Sequence, residues 1–288
     1  MISVIICSVN KQLANQVQQN IADTIGVEWE PIIIDNTINA TGITSVYNQG
    51  ASIANYGMLC FVHEDVLFTT QNWGKVLIDT FKNDSELGLI GLAGSKYKSR
   101  LPSGWFSGLD ILDCCNITHL DKHEVRQIMH YNPDDNKLLQ EVVVLDGVLL
   151  VCPKKVWQDI KFDDKLLKGF HLYDIDFSFR VAEKYKVAVS YAINLIHLTQ
   201  GGSFGNEWLN DTLLWHQKMS RKLPAITHDC IVSNKKIDKI IVKKWLIRLK
   251  HEPINTVNQF KWLFAVKIWV QISAWTNVPF FMLKKYIK

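Results

Sequence analysis

Three apolar runs alternate with two helical stretches in the first 65 residues, and this order constrains the fold more than any other feature. Residues 2–9 form a β-branched run suited to a strand buried on both faces. Asn10 opens a helical stretch over residues 11–25. Residues 31–34 form a second buried strand that closes on Asp35-Asn36. A loop with Gly42 leads into a helix over residues 44–54, and a third apolar run, 57–62, ends on His63-Glu64-Asp65. A βαβαβ order predicts a parallel sheet with right-handed crossovers. The polar strand ends Asn10, Asp35-Asn36 and His63-Glu64-Asp65 then emerge at one edge, where open α/β sheets bind ligands.

Downstream, residues 71–83 read as a helix and 87–93 as a short strand. Residues 94–121 are irregular, with Trp105-Phe106 among Gly, Ser and Pro, and are long for a loop without a function. A strand over 142–151 is interrupted by Asp146-Gly147, and Pro153 starts a helix to residue 160. A helix is expected over 171–185, a last strand over 187–196 closing on His197, a loop at Gly201-Gly202, and a helix over 206–221.

The chain has 288 residues, 48% hydrophobic and 21% charged, which fits one large domain or a domain with an appendage. Its charge is uneven. From Lys235 onward there are 12 basic against 2 acidic residues, whereas the first 234 carry 20 against 26. An acidic body with a basic tail suggests that the tail meets an anionic surface. The tail also holds Trp245, Trp262, Trp269 and Trp275, and its apolar stretch 262–281 is broken by Lys267, Gln271, Asn277 and Pro279. The expectation is one or two helices lying in a membrane interface, with Trp at headgroup depth and Lys on anionic lipid. A helical appendage packed on the domain, or a dimer contact, is the alternative. So apolar a tail beside an acidic body argues against nucleic acid. Cys7, Cys60 and Cys152 lie in apolar runs and Cys114-Cys115 are adjacent, so the protein reads as reduced and cytoplasmic, with no leader segment at its start.

Several side chains are suited to chemistry. The carboxylates after residue 62 can hold a hard divalent cation that keeps positions open for phosphates, which points to a nucleotide-activated donor. An acidic loop that solubilises the strand end is the plain alternative. Asp35 suits a base or ribose hydroxyl, but equally a turn in Asp35-Asn36-Thr37. Asn48 can donate to a base or phosphate, or lie on an exposed helix face, and Gly50 allows close backbone approach. Asp174 and Asp176, two apart at a helix start, project in different directions. One can serve as a general base while the other binds backbone, or both can complement the helix dipole. If His197 emerges at the same edge as Asp65 the two can share a cation; a satisfied strand-end histidine is the plain alternative.

Taken in order, these segments resemble the family 2 glycosyltransferases of GT-A fold, closest to a bacterial glycosyltransferase-like branch. The matching pieces are Ser3-Val4-Ile5-Ile6, Ile32-Ile33-Ile34-Asp35-Asn36, Tyr47-Asn48-Gln49-Gly50, Phe61-Val62-His63-Glu64-Asp65-Val66, Leu145-Asp146-Gly147, Phe170-His171-Leu172-Tyr173-Asp174-Ile175-Asp176, and Ile196-His197 with Gly201-Gly202. The resemblance implies an α/β fold with a mixed, mainly parallel sheet flanked by helices. It covers residues 1–222 and leaves 223–288 as a basic, Trp-rich helical C-terminal appendage. It implies Mn2+ or Mg2+ on Asp65 with His197 and His63. Asp35, Asn36, Asn48, Glu64 and Asp65 would bind a UDP-, GDP- or dTDP-sugar, and Asp174 would be the base of an inverting transfer. His171, Asp146, Trp105 and Asp176 are implied acceptor contacts.

Two positions depart from the family pattern: His63 replaces the first acid of the metal motif, and Tyr173 replaces the Glu of the catalytic Glu-Asp pair. No Gln-x-x-Arg-Trp sequence of processive synthases is present, which favours transfer of a single sugar to a saccharide or lipid-linked acceptor. The expected place is the inner face of the cytoplasmic membrane, as a peripheral protein. A non-catalytic nucleotide-sugar-binding or assembly subunit, and a metallohydrolase using His63, Asp65 and His197, are the competing functions.

Overall fold

The first strand, β1 (Ile2–Ser8), is an inner strand of the main sheet, one place in from its edge, and Ile2, Val4, Ile5 and Ile6 are all fully buried. It pairs in parallel with β2 (Trp29–Asp35) on one side and β3 (Met58–Val62) on the other. The crossovers are α1 (Lys11–Thr24) and α2 (Ile43–Ile53). Asn10 caps α1 by accepting from the N–H groups of Gln12 and Leu13 at 3.0 and 3.3 Å. Gly50 lets α2 lie directly on β1, since a Cβ there would meet the Ile5 side chain at 2.5 Å. The computed structural model describes residues 1–38, 40–121, 123, 125–198, 204–230 and 234–267, without the side chains of 234, 235 and 267. Gly201-Gly202, Trp269 and Trp275 lie outside the described residues.

Beyond β3 come β4 (Val66–Phe68), α3 (Trp73–Asn83), β5 (Leu87–Gly91), β6 (Ala93–Ser95) and β7 (Tyr97–Lys98). Then follow β8 (Asp113–Leu120), β9 (Arg126–Tyr131), β10 (Leu139–Glu141), β11 (Val144–Leu145) and β12 (Leu149–Pro153). The chain continues through α4 (Lys154–Ile160), α5 (Tyr173–Val181), β13 (Lys186–Ser190), β14 (Leu195–His197) and α6 (Asn206–Met219). It closes with β15 (Ala225–Ile226), α7 (Asn234–His251) and α8 (Thr256–Lys267).

The main sheet has the order β10-β13-β5-β12-β3-β1-β2, and only β10 and β12 run against the rest. A second sheet has the order β11-β6-β8-β14-β4, with β9 paired to β8 off this path. Residues 94–121 are therefore not a loop throughout. The strand β8 and its hairpin partner β9 escape a periodicity reading because β8 begins buried on both faces, while β9 is largely exposed. The expected helix over 171–185 is shorter, beginning at Tyr173 after Leu172 takes a left-handed φ of 61°. For a branched side chain that conformation is costly, and it sits two residues before the candidate base.

The C-terminal helices pack on the body. One buried cluster joins Ile237, Ile241, Trp245 and Trp262 to Tyr97, Leu101, Trp208 and Trp215. Trp245 stacks on Trp208 with ring centroids 4.8 Å apart, and Trp262 donates from Nε1 to the Pro102 carbonyl at 2.8 Å. These two indoles are therefore not at headgroup depth. Burial of an indole of this size stabilises by roughly 2–3 kcal/mol, more than an interface offers a ring left half in water. The outer surface of α7 carries exposed Lys236, Lys239, Lys243 and Lys250, and that of α8 carries exposed Val257, Phe260 and Phe264. Among the described residues no helix is long and apolar enough to cross a membrane.

Candidate active site

The ends of β1, β2 and β3 open into a cleft of about 590 Å³ lined by Cys7, Asn36, Glu64, Asp65, Phe170 and His197, among others. Glu64 braces this edge. Its carboxylate accepts from the Ser8 hydroxyl at 2.7 Å and from the N–H groups of Val9 and Asn10, so it ties β3 to β1. Asn36 shapes the opposite lip, donating to the Thr41 carbonyl at 2.8 Å and accepting from the Thr41 N–H at 3.0 Å. Asp35 stands exposed on that lip. Its Oδ1 takes the Thr37 hydroxyl and N–H at 2.6 and 2.9 Å, and these bonds hold its carboxyl below the usual range. The Asx turn and the cleft edge thus coexist at this strand end.

Asp65 leaves the sheet between two imidazoles. Its Oδ2 lies 3.3 Å from His197 Nε2 and its Oδ1 3.9 Å from His63 Nδ1. One donor atom from each of these residues lies within 4.8 Å of the others. The antiparallel pairing of β14 with β4 sets His197 opposite Val66, one residue from Asp65. Burial pushes Asp65 up, but the His197 hydrogen bond and charge outweigh it and hold the carboxyl low. Burial pushes His197 down, but Asp65 outweighs it and holds the imidazole high. His63 stays low, through burial first and the neighbouring His197 second.

The two departures from the family pattern meet each other here. His63 Nε2 is 2.7 Å from the Tyr173 hydroxyl, and that hydroxyl donates to the Gly147 carbonyl at 3.2 Å. With its proton directed to Gly147, the hydroxyl accepts from Nε2–H. In that tautomer, which a cation bound between them would select, the bare Nδ1 faces Asp65. That is the form a metal ligand needs, with its other nitrogen fixed by an outer partner. Gly147 is required for the same contact, because a Cβ there would stand 2.0 Å from the Tyr173 hydroxyl. Two imidazole nitrogens and one carboxylate oxygen are a donor set that could hold a divalent metal ion.

Asp174 follows Tyr173 in the first turn of α5. Burial, and then the nearby Asp146, push its carboxyl up to about 7. Asp146 in turn accepts from Trp105 Nε1 at 2.7 Å and from the Val148 N–H at 3.0 Å. The structure thus brings Trp105, Asp146 and Asp174 together. The Trp105 turn rests on Lys98, whose buried ammonium donates to the Ser103 carbonyl and hydroxyl at 2.9 and 3.0 Å and to the Gly104 carbonyl at 3.2 Å. His216 Nδ1–H donates to the Thr212 carbonyl at 2.7 Å, so its Nε2 accepts from Lys98 at 3.0 Å. Burial brings Lys98 down to about 7.

Two expected contacts are corrected. Asp176 is buried behind the helix, paired with Arg180 at 2.6 Å and accepting from Trp215 Nε1 at 3.0 Å, so it faces no acceptor. Asn48 holds α2 to the end of α4. It donates to the Phe162 carbonyl at 2.9 Å and accepts from Trp157 Nε1 and the Phe162 N–H at 3.0 and 3.1 Å. Its amide is filled by these partners and does not line the cleft. His171 is half-buried beside Phe170, and burial pushes its ring down against the pull of Glu207.

One residue of the site is missing from the sequence reading. His119 on β8 lies in register with His197, with ring centroids 5.3 Å apart, and its buried Nδ1 has no hydrogen-bond partner among the described residues. The alternation Ile117-Thr118-His119-Leu120 was the available signal, hidden in a segment read as irregular.

Known structures share the architecture. GalNAc-T7, solved with UDP, GalNAc and Mn2+, superposes with a TM-score of 0.52 at 10% identity over 74% of this chain and 47% of its own. This chain thus spans about half the length of that protein. S. aureus TarS 1-349 superposes with a TM-score of 0.50 at 12% identity, over 86% of this chain and 71% of its own. At such identities the likeness shows the fold, which is GT-A. No curated protein matches the sequence. The profile of the glycosyltransferase-like family, however, matches residues 3–209, and the chain belongs to that family.

Proposed function

We propose that the protein is a metal-dependent, inverting glycosyltransferase that moves one sugar from a nucleotide-sugar donor to a saccharide or lipid-linked saccharide in bacterial surface polysaccharide synthesis. The observation that carries this reading is the Tyr173-Asp174 step. Tyr173 fixes a face of the His63–Asp65–His197 cluster, and the next residue offers a carboxyl brought up to about 7. Asp174 would take the acceptor hydroxyl proton as the acceptor oxygen bonds the anomeric carbon and the donor's sugar–phosphate bond breaks, its electron pair leaving on the diphosphate. A divalent cation, when held by Asp65, His197 and His63, supplies positive charge to that leaving group. Asp146 keeps Asp174 basic and orients Trp105, whose indole face suits a sugar ring. Asp35 and Asn36 are the residues on the lip available to the nucleoside. His171 remains a candidate on the acceptor side.

The exposed lysines of α7 and the apolar stripe of α8 support a peripheral place at the inner face of the cytoplasmic membrane. The test is thermal stability against UDP-, GDP- and dTDP-sugars with and without Mn2+. One nucleotide class should raise the melting temperature only with metal, and Asp65→Ala should abolish the rise. No shift with any donor would favour a non-catalytic assembly subunit.

A further inference from the structure

A second cavity, of about 250 Å³, lies where the Trp105 turn meets α7. Its walls are aromatic, with Trp105, Phe106, Phe204 and Trp245, and its cations are Lys244 and Arg248. The Arg248 guanidinium lies 3.4 Å above the Phe204 ring and pairs with Glu252 at 2.9 Å. Lys244 carries its ammonium 5.8 Å from the Phe106 ring centroid and donates to the Gly108 carbonyl. Lys244 is exposed and has no carboxylate partner among the described residues, so the cavity carries a net positive charge.

We infer that this cavity binds an acceptor saccharide bearing a phosphate or diphosphate, an inference that rests on the transferase reading. Aromatic faces take the apolar side of a sugar ring, while ammonium and guanidinium groups take phosphate oxygens. The position suits an acceptor as well. Trp105 forms one wall and also donates to Asp146 at 2.7 Å, beside the candidate base Asp174. A sugar lying against Trp105 is thus directed toward the proton acceptor, with its phosphate on the α7 side. The C-terminal helices accordingly complete the acceptor site. Their basic outer surface lies next to the end where a lipid carrier would leave.

The full chain, with the indole N–H resonances of Trp105 and Trp245 assigned by single Trp→Phe substitutions, is titrated with three probes: glucose 1-phosphate, methyl glucoside and inorganic phosphate. Glucose 1-phosphate should shift both resonances and bind about tenfold more tightly than either other probe, the gain expected when two contacts act together. Lys244→Glu and Phe106→Ala, both at exposed positions, should each weaken that binding at least severalfold and leave the donor-induced thermal shift unchanged. Equal binding of the glucoside and the sugar phosphate, or wild-type binding by Lys244→Glu, would overturn the inference. A fourth titration with glucose diphosphate on an undecyl chain separates the sources. Tighter binding than its soluble counterpart assigns a lipid-linked acceptor, and equal binding a free sugar phosphate. Failure of the donor to bind while the sugar phosphate still does would remove the transferase reading alone.

Discussion

The proposed donor edge and the proposed acceptor wall of this molecule are built by different means. The donor edge is made of strand ends. Glu64, Asp65 and Asn36 sit where β1, β2 and β3 stop, and backbone pairing fixes them within a few residues of the main sheet. The acceptor wall is made of side-chain struts between distant segments. Lys98 reaches His216, Trp262 reaches Pro102, and Tyr97 and Ser99 both donate to Asp238 at 2.9 and 2.7 Å. A pocket on strand ends inherits the stability of the sheet. A wall of struts can be altered one strut at a time, which lets acceptor choice change while the donor machinery stays fixed.

The comparison breaks most severely at the residue between the two regions. Asp174→Asn should lower kcat by about a thousandfold, the usual scale for removing a general base, while the donor-induced thermal shift persists. Loss of that shift would mean that the acceptor side holds the donor. In the wild type the rate should rise as pH rises toward about 7, where Asp174 becomes ionised, and level off above.

On the donor side, Tyr173→Phe keeps the ring but frees the His63 tautomer. Mn2+ affinity, followed by calorimetry, should fall about tenfold to a hundredfold, with acceptor binding unchanged. An unaltered affinity would show that the His63–Tyr173 pair does not serve the cluster.

On the acceptor side, Lys98→Met leaves the Ser103 and Gly104 carbonyls and His216 without their donor. A loss of about 1–3 kcal/mol in unfolding free energy is expected, together with a raised acceptor KM and an unchanged donor shift. If donor binding falls equally, the two regions are one cooperative unit.

A further effect concerns stability alone. Asp174 is raised in the folded chain from its ordinary 3.8 to about 7, so the folded state holds the proton longer than the unfolded one. Its contribution is most favourable below pH 4 and is lost as pH rises through 7. Asp174→Asn should therefore stabilise the metal-free protein at pH 8, by up to about 4 kcal/mol, and have little effect at pH 4, as chemical denaturation would show.

Much of the donor edge was legible because its signals are local. The apolar runs ending at Ser8, Asp35 and Val62 fall where the parallel strands stop, and the resemblance carried Asp65 and His197 to positions that prove adjacent. Asp174 and Asp176 were read as diverging, and they do, though the buried one was also offered to the acceptor. Asn48 misled because a polar residue in a helix looks the same in sequence whether it meets a ligand or a buried tryptophan. The β8–β9 hairpin was lost because neither strand alternates cleanly between two environments.

By itself the sequence determined the βαβαβ frame and put Asp35, Asp65 and His197 at or just past strand ends, because strand and helix periods and strand-end chemistry act over a few residues. Tertiary structure alone decided that His63 meets Tyr173, that His119 lies beside His197, and that Trp245 and Trp262 turn inward. Each of these joins residues far apart in the chain, and only packing brings them within reach.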